Sequence, residues 1–148
     1  MNALQLLKSD HEHVNKLLSQ LVETSTRAAK KRKELLARIG EELRVHTQIE
    51  NEVFYPAYKE AGKKADKPIF FEALEEHRAV ETLVLPDLED SDVSSDEFSG
   101  RARVLRDLVQ HHVEEEENEM FPRVKSLMTE EQLMELGERM EAMKKSWH

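Results

Sequence analysis

The chain has 148 residues, a length typical of one domain, and its 22 Lys and Arg against 31 Asp and Glu give a formal net charge of −9. That charge disfavours nucleic acid and anionic membrane surfaces as partners, and the absence of cysteine excludes disulfides, thiolate metal sites and cysteine nucleophiles. With 36% charged residues, four Gly and four Pro, the composition favours helices over a turn-rich sheet.

Two helices are predicted in the first half of the chain, because apolar residues recur there at alternating spacings of three and four. In the first helix, His11 occupies the one interrupted step of a stripe formed by Leu4, Leu7, Val14, Leu18 and Leu21. In the second, over residues 31–59, His46 and Glu50 occupy the two steps between Leu43 and Val53. Polar side chains therefore sit on both helices where a leucine would be expected.

Three further helices are predicted in the second half. The third covers residues 67–89 with a stripe of Leu74, His77, Glu81, Val84 and Leu88, and the fourth covers residues 101–127 with His112 and Glu116 on its inner face. Residues 90–100 are rich in Ser and Asp and are predicted to form a loop. Thr129 and Gln132 form a capping-box pattern at the start of a short fifth helix. Pro56, Pro86 and Pro122 are expected to kink or end their helices locally.

An internal repeat relates the two halves of the chain. A shift of 66 residues maps the first half onto the second in these pairs: His11 and His77, Leu43 and Val109, His46 and His112, Glu50 and Glu116, Pro56 and Pro122. Two similar helical hairpins placed face to face form a four-helix bundle with pseudo-twofold symmetry. We therefore predict an all-α fold, with an antiparallel four-helix bundle over residues 1–127 and a short C-terminal helix, residues 128–148, packed on it.

Three His and Glu pairs lie four residues apart and so share a helix face: His46 with Glu50, His77 with Glu81, and His112 with Glu116. Burying three carboxylates costs several kcal/mol each unless cations compensate, and no Lys or Arg interrupts the stripes between them. Two divalent metal ions would supply four positive charges and use the imidazole lone pairs.

A single histidine on an apolar stripe is more often a hydrogen-bonded core residue than a metal ligand, but four histidines in register favour a metal site. The remaining histidines, His13, His111 and His148, have no partner under the 66-residue shift and are interpreted as surface or outer residues. The aromatic and methionine side chains of these helices, including Tyr55 and Phe121, are interpreted as core packing. Of the four glutamates from 114 to 117, only Glu116 falls on the stripe of His112.

These residues, with the strings DHEHV, HTQIENEVFYP, EEHRAV and HHVEEEENEMFP, resemble the hemerythrin-like, or HHE cation-binding, proteins over residues 3–127. The resemblance implies a non-haem di-iron centre inside a four-helix bundle, with the four histidines as terminal ligands and Glu50 and Glu116 as bridging carboxylates. Oxygen-carrying members have a second histidine where this chain has Glu81. That difference is shared by a subset of bacterial relatives, in which the carboxylate is taken to replace the imidazole.

With two six-coordinate irons, four histidines, two bridging carboxylates and Glu81 fill nine of twelve positions, and an oxo or hydroxo bridge fills two more. One position then stays open for O2, NO or peroxide. Since Asn15 matches Glu81 under the shift and an amide is a poor iron ligand, we expect the vacancy on the iron bound by His11 and His46, with Asn15 near it. Mixed imidazole and carboxylate donors suit Fe, Mn or Zn, and bridging carboxylates favour iron.

Three functions are compatible with this site. The first is binding of a small diatomic molecule or peroxide for sensing, storage or scavenging; the second is an enzyme that removes peroxide or NO; the third is a metal-stabilised structural or iron-storage bundle. No nucleophile triad, phosphate loop or basic stripe indicates a hydrolase, a kinase or a nucleic-acid binder. No signal peptide and no membrane span are apparent, so we expect a soluble, cytoplasmic protein with no nucleic-acid or membrane partner.

Overall fold

The computed structural model describes residues 1–147, and over that range all regular structure is helical. Its α-helical segments are α1 (Ala3–Glu23), α2 (Ala29–Ile49), α3 (Tyr55–Ala61), α4 (Lys67–Ala79), α5 (Leu85–Glu89), α6 (Asp96–Glu115), α7 (Phe121–Leu127) and α8 (Glu130–Lys145). Three π-helical turns join them into longer helices: π1 (Glu50–Phe54), π2 (Val80–Val84) and π3 (Glu116–Met120). The bundle thus has four long helices, over residues 3–23, 29–61, 67–89 and 96–127. His148, expected at the surface, lies outside the described residues.

The starts of α6 and α8 are fixed by side-chain caps. The predicted capping box is confirmed, since Thr129 accepts from the Gln132 amide and the Gln132 side chain accepts from the Thr129 amide. The predicted loop over residues 90–100 is wrong in its second half, because the fourth helix begins at Asp96. There the Ser95 side chain accepts from the Phe98 amide, and acidic residues in the first turn complement the helix dipole.

A π-helical turn precedes each of the three prolines in the long helices. The amide of the residue before each proline bonds the carbonyl five residues earlier, as in Tyr55 to Glu50, Leu85 to Val80 and Phe121 to Glu116. Proline has no N–H and clashes with the carbonyl four residues back, so a wider turn relieves the contact. The prolines therefore widen the helices locally without ending them.

The four long helices form the predicted antiparallel bundle. The first packs against the second and the fourth, and α8 lies across α1, α2 and π1. The core has two apolar clusters, one at each end of the bundle. The first, at the end covered by α8, includes Leu7, Phe54, Phe70, Val124 and Met140; the second, at the other end, includes Leu18, Ile39, Leu88, Phe98 and Leu105. Along every long helix the histidines predicted as ligands fall between the two clusters.

The bundle end farthest from α8 is closed by a buried arginine. The Arg32 side chain is 1% exposed and lies 4.8 Å above the Phe98 ring. Its guanidinium donates to Thr24, to the Val93 and Ser95 carbonyls and to the Ser99 hydroxyl. It thereby ties together the first and third interhelical connections. Within residues 1–147, no helix combines the length and apolarity needed to cross a bilayer.

Candidate metal centre

Six of the seven predicted ligands meet in one layer at the middle of the bundle. Each long helix contributes one histidine: His11, His46, His77 and His112, from α1, α2, α4 and α6 respectively. Glu50 and Glu116 are the first residues of π1 and π3, and the side chains of both are fully buried. The four histidine side chains are between 3% and 11% exposed.

The donor atoms form two groups that share both carboxylates. In one group, Nε2 of His11 lies 3.1 Å from Glu116 Oε1 and Nε2 of His46 lies 2.9 Å from Glu50 Oε1. In the other, Nε2 of His77 lies 3.1 Å from Glu50 Oε1 and Nε2 of His112 lies 3.0 Å from Glu116 Oε2. Within each group, one donor atom per residue lies within 4.8 Å of every other. Each group could hold a metal ion, and Glu50 and Glu116 belong to both groups.

Several of these inward atoms have no hydrogen-bond partner although they are buried. They are His11 Nε2, His46 Nε2, Glu50 Oε1 and Oε2, and Glu116 Oε1. A buried polar atom without a partner costs about 1–3 kcal/mol, and more when it is charged. Since several such atoms converge here and all are good ligands for a hard or borderline metal, the residues fit a pair of metal ions.

Each of the four histidines bonds a polar partner through its outer nitrogen. Nδ1 lies 2.6 Å from Glu117 Oε2 for His11, 3.0 Å from Asp10 Oδ2 for His46, 2.9 Å from Asn51 Oδ1 for His77 and 2.7 Å from Glu76 Oε1 for His112. Such partners fix the tautomer with Nε2 free to bind metal, and they orient the ring. Lys144 of α8 extends one of these chains, because its ammonium contacts Asp10 at 2.5 Å.

Sequence reasoning missed these outer partners, although a signal was present. The 66-residue shift maps Asp10 onto Glu76 and Asn51 onto Glu117. Asp10 and Glu76 each directly precede a predicted ligand histidine. Asn51 and Glu117 each directly follow one of the two buried glutamates. The pseudo-twofold symmetry of the centre therefore extends to the residues that hold its ligands.

Tyr55 is the other residue that sequence reasoning missed, since it was interpreted as core packing. Its hydroxyl donates to Glu116 Oε2 at 2.7 Å and lies 3.3 Å from Nε2 of both His77 and His112. Its ring stacks on His77 at 5.1 Å, as the Phe121 ring stacks on His11 at 6.1 Å. Tyr55 and Phe121 match under the 66-residue shift, so only one half of the centre has a hydroxyl at this position.

The structure does not bring Glu81 into this layer. Glu81 is exposed, and the inner stripe of the third long helix passes from His77 to Val80 and Val84, which pack on the apolar cluster at the Arg32 end. The inward-facing residue that follows His77 is therefore three positions later, not four. The π turn begins at that same position: π2 starts three residues after its histidine, whereas π1 and π3 start four residues after theirs. The prediction that Glu81 is a ligand is therefore not supported.

Asn15, expected near a vacant metal position, is half-buried, and its side-chain oxygen is enclosed without a hydrogen-bond partner.

Two of the histidines predicted to lie at the surface are exposed, as expected. His13 and His111 are 52% and 60% exposed and pair with Glu42 and Glu115 respectively.

In the metal-free centre, the histidines and carboxylates shift one another's pKa values. Burial by itself lowers the pKa of a histidine, but the Glu50 and Asp10 carboxylates outweigh it and raise the pKa of His46 to about 10. The pKa values of His11 and His112 are raised in the same way by their carboxylate partners. Burial would raise the pKa of Glu116, yet its close contacts with Glu50, His11 and His112 hold that pKa well below the usual range. Without metal, the layer therefore contains imidazolium–carboxylate pairs.

A small cavity lies over the histidine side of the centre. Its volume is about 40 Å³, and each of the four long helices contributes three residues to its wall. The four ligand histidines line it together with Val14, Leu43, Val80, Val109 and Val113. A cavity that holds one water molecule needs a volume of about 10–15 Å³, so this cavity holds a ligand of only a few atoms.

The chain is similar to known proteins in both sequence and fold. The family model of the hemerythrin HHE cation-binding domain matches residues 2–124. A crystal structure of an HHE domain-containing protein from Mycobacterium kansasii, a homolog of Rv2633c, superposes with a TM-score of 0.83 at 28% identity, covering 98% of this chain and 86% of that one. Rv2633c of Mycobacterium tuberculosis is 30% identical over 143 residues, which are 96% of this chain and 84% of that protein. A Nostoc protein named DNA nickase is 27% identical over 132 residues, and the chain spans 36% of its length.

Proposed function

Since the chain belongs to the hemerythrin HHE cation-binding domain family, we propose that its His and Glu layer holds two iron ions with an oxo or hydroxo bridge and binds a small diatomic ligand, O2 or NO. When bound, such an iron pair supplies an open coordination position and one-electron chemistry for these ligands. Sensing, storage or scavenging of the diatomic molecule is the function that this site serves.

The protein ligands are the six residues that converge. His11 and His46 would hold one iron, His77 and His112 would hold the other, and Glu50 and Glu116 would supply carboxylate oxygens to both. Their outer partners keep each Nε2 directed inward, and the loss of such a partner typically costs 10- to 100-fold in metal affinity.

Tyr55 takes the place that the sequence prediction gave to Glu81. Its hydroxyl lies beside Nε2 of His77 and His112, so it would be a seventh protein donor, to the iron held by those two histidines. The iron bound by His11 and His46 then has fewer protein donors, because Phe121 occupies the matching position without a hydroxyl. The exogenous ligand binds on that side.

The donor set supports iron, and Mn or Zn can occupy the same site in a purified sample. Imidazole and carboxylate donors suit all three metals. Two bridging carboxylates over a shared pair of sites, as arranged here by Glu50 and Glu116, are typical of dinuclear iron and manganese centres in helical bundles.

The observation that carries the proposed ligand class is the cavity over the histidines. Its surface is mostly apolar, with valines from three helices and Leu43 from the other, and its volume of about 40 Å³ suits a diatomic molecule. Apolar walls exclude water, which would otherwise compete for the open position.

The test uses a variant that fills the cavity and a matched control on the same helix. Val109 is buried in the cavity wall, whereas Val104 is 51% exposed. We expect Val109→Phe to retain two irons per chain while losing most of the optical change that the reduced protein shows on exposure to O2 or NO. Val104→Phe should behave as the wild type.

Three results would contradict this proposal. Unchanged ligand binding in Val109→Phe would refute the role of the cavity. Rapid catalytic loss of added H2O2 with iron retained would favour the peroxide-removing enzyme, and a metal needed only for folding would favour the structural or iron-storage bundle.

We do not extend the nicking activity named for the Nostoc relative to this chain. The chain spans 36% of that protein, and its net charge of −9 opposes binding to DNA. We propose a cytoplasmic location, as expected from the sequence.

A further inference from the structure

A second cluster of potential metal ligands lies at the surface between α4 and α6. It consists of Glu72 and Glu76 on α4 and His111 and Glu115 on α6. One donor atom from each residue lies within 4.8 Å of every other, and Nε2 of His111 is 2.9 Å from Glu115 Oε1. Ligands at about 2.1 Å from a metal are roughly 3 Å apart, so the four atoms need only small rotations to enclose a cation.

The charge of this outer cluster is not compensated by neighbouring basic residues. Among the described residues, no Lys or Arg lies within ion-pair distance of the Glu72, Glu76 or Glu115 carboxylates, and the ion-pair partners of Glu76 and Glu115 are histidines. The cluster is also not a product of the internal repeat. The 66-residue shift places Leu6, Val45 and Ile49 opposite Glu72, His111 and Glu115, so only one of the two hairpin interfaces carries it.

The outer cluster is connected to the buried centre in two ways. Glu76 presents Oε1 to Nδ1 of His112 at 2.7 Å and Oε2 to Nε2 of His111 at 3.9 Å, so one carboxylate touches both sites. A pocket between the helices is lined by Glu72, Glu76 and Glu115 and, at its inner end, by Glu116. Glu116 is fully buried, and its Oε1 has no hydrogen-bond partner.

From this arrangement we propose that Glu72, Glu76, His111 and Glu115 form a third cation site, which binds a divalent metal ion at the surface and passes it to the buried centre. The loading role rests on the proposed di-iron function, whereas the outer site itself does not. Glu76 and Glu116 line the route, and the carboxylates exchange for one another along it, so that the ion never leaves oxygen ligands.

The test removes outer donors that do not contact the buried centre. Glu72 and His111 are exposed, so the variant E72Q/H111A should leave the six inner ligands in place. The matched control H13A/E34Q makes the same chemical changes at exposed positions on α1 and α2.

The first measurement is Mn²⁺ binding to the iron-loaded protein at pH 7, followed by the loss of the free-ion EPR signal. We expect the wild type and the control to bind one Mn²⁺ more than E72Q/H111A does, or to bind it at least about tenfold more tightly. Equal binding by all three proteins would overturn the outer site, whatever metal the buried centre contains.

The second measurement is the initial rate at which the metal-free protein takes up Fe²⁺ under anaerobic conditions. We expect uptake by E72Q/H111A to be roughly tenfold slower than uptake by the control, with the same final iron content. Equal rates would overturn the loading role. Failure of the wild type to retain two irons would instead contradict the proposed function, so the two failures are distinguishable.

Discussion

Replacing Tyr55 by Phe removes one hydroxyl from the middle of the centre and changes nothing else in the core. That hydroxyl donates to Glu116 Oε2 at 2.7 Å, and the Glu116 carboxylate is fully buried. A hydrogen bond to a charged group contributes about 1.5–3 kcal/mol, so the free energy of unfolding of the metal-free protein should fall by about that amount.

Tyr58→Phe is the matched control. The Tyr58 hydroxyl also donates at 2.7 Å to a buried carboxylate, that of Asp66, but it lies away from the ligand layer. Urea unfolding of the metal-free proteins should therefore show a similar loss of stability in both variants. Only Tyr55→Phe should change the iron-loaded centre, by removing the visible absorption of an iron(III)–phenolate pair while two irons remain bound.

Two results would refute this reasoning. If the metal-free Tyr55→Phe protein is as stable as the wild type within about 0.5 kcal/mol, the hydrogen bond to Glu116 does not have the strength that its geometry implies. If the visible spectrum of the iron-loaded variant is unchanged, Tyr55 is not a donor, and the seventh protein ligand must be sought elsewhere.

Three further predictions follow from the same layer and from the bundle end. His112→Leu should lower iron occupancy measured by metal analysis, because it leaves Glu116 buried beside an incomplete site; retention of two irons would count against the ligand assignment. In the folded metal-free protein the pKa of His46 is about 10, and the pKa of His112 is also raised. Protonation of these histidines therefore stabilises the folded state, most fully below their unfolded pKa of about 6.5. This stabilisation is lost as the pH rises through the folded-state pKa values. The melting temperature of the metal-free protein should therefore fall between about pH 7 and 10, and a flat profile would contradict the imidazolium pairs. Arg32→Met should lower the free energy of unfolding by about 3 kcal/mol or more, because it leaves buried carbonyls without donors, whereas exposed Lys33→Met should change it by less than about 0.5 kcal/mol.

Much of the fold could be predicted because one apolar face per helix must be buried. The spacing of leucines and valines placed the four long helices, and the 66-residue shift predicted their pairing as two hairpins. The same shift indicated that His46 and His112 occupy equivalent positions. The start of the fourth helix was missed because the polar residues from 96 to 100 read as loop, whereas the Ser95 cap begins a helix there.

The centre could be predicted only as far as a regular α-helix describes it. His46 with Glu50 and His112 with Glu116 converge because the π turns begin at the glutamate itself. In the third helix the turn begins one residue earlier relative to the histidine, and the four-residue rule then selects Glu81, which faces outward. The spacing of residues along a helix does not show how far a side chain extends towards a neighbouring helix.

Tyr55 shows that limitation most clearly. Its position follows Glu50 by five residues, across the π turn, and nothing in an α-helical projection places its hydroxyl between two histidines of other helices. Comparison with Phe121 at the matching position of the repeat would have drawn attention to that hydroxyl.

The division of the core into two apolar clusters has a mechanical consequence. Hydrophobic packing is concentrated in the two clusters, and the ligand layer between them consists largely of polar side chains. A metal bound there would hold the two ends together, and its release should speed amide exchange in the helices on both sides of the layer. The supply of metal would then determine how strongly the Arg32 end of the bundle is held to the end covered by α8.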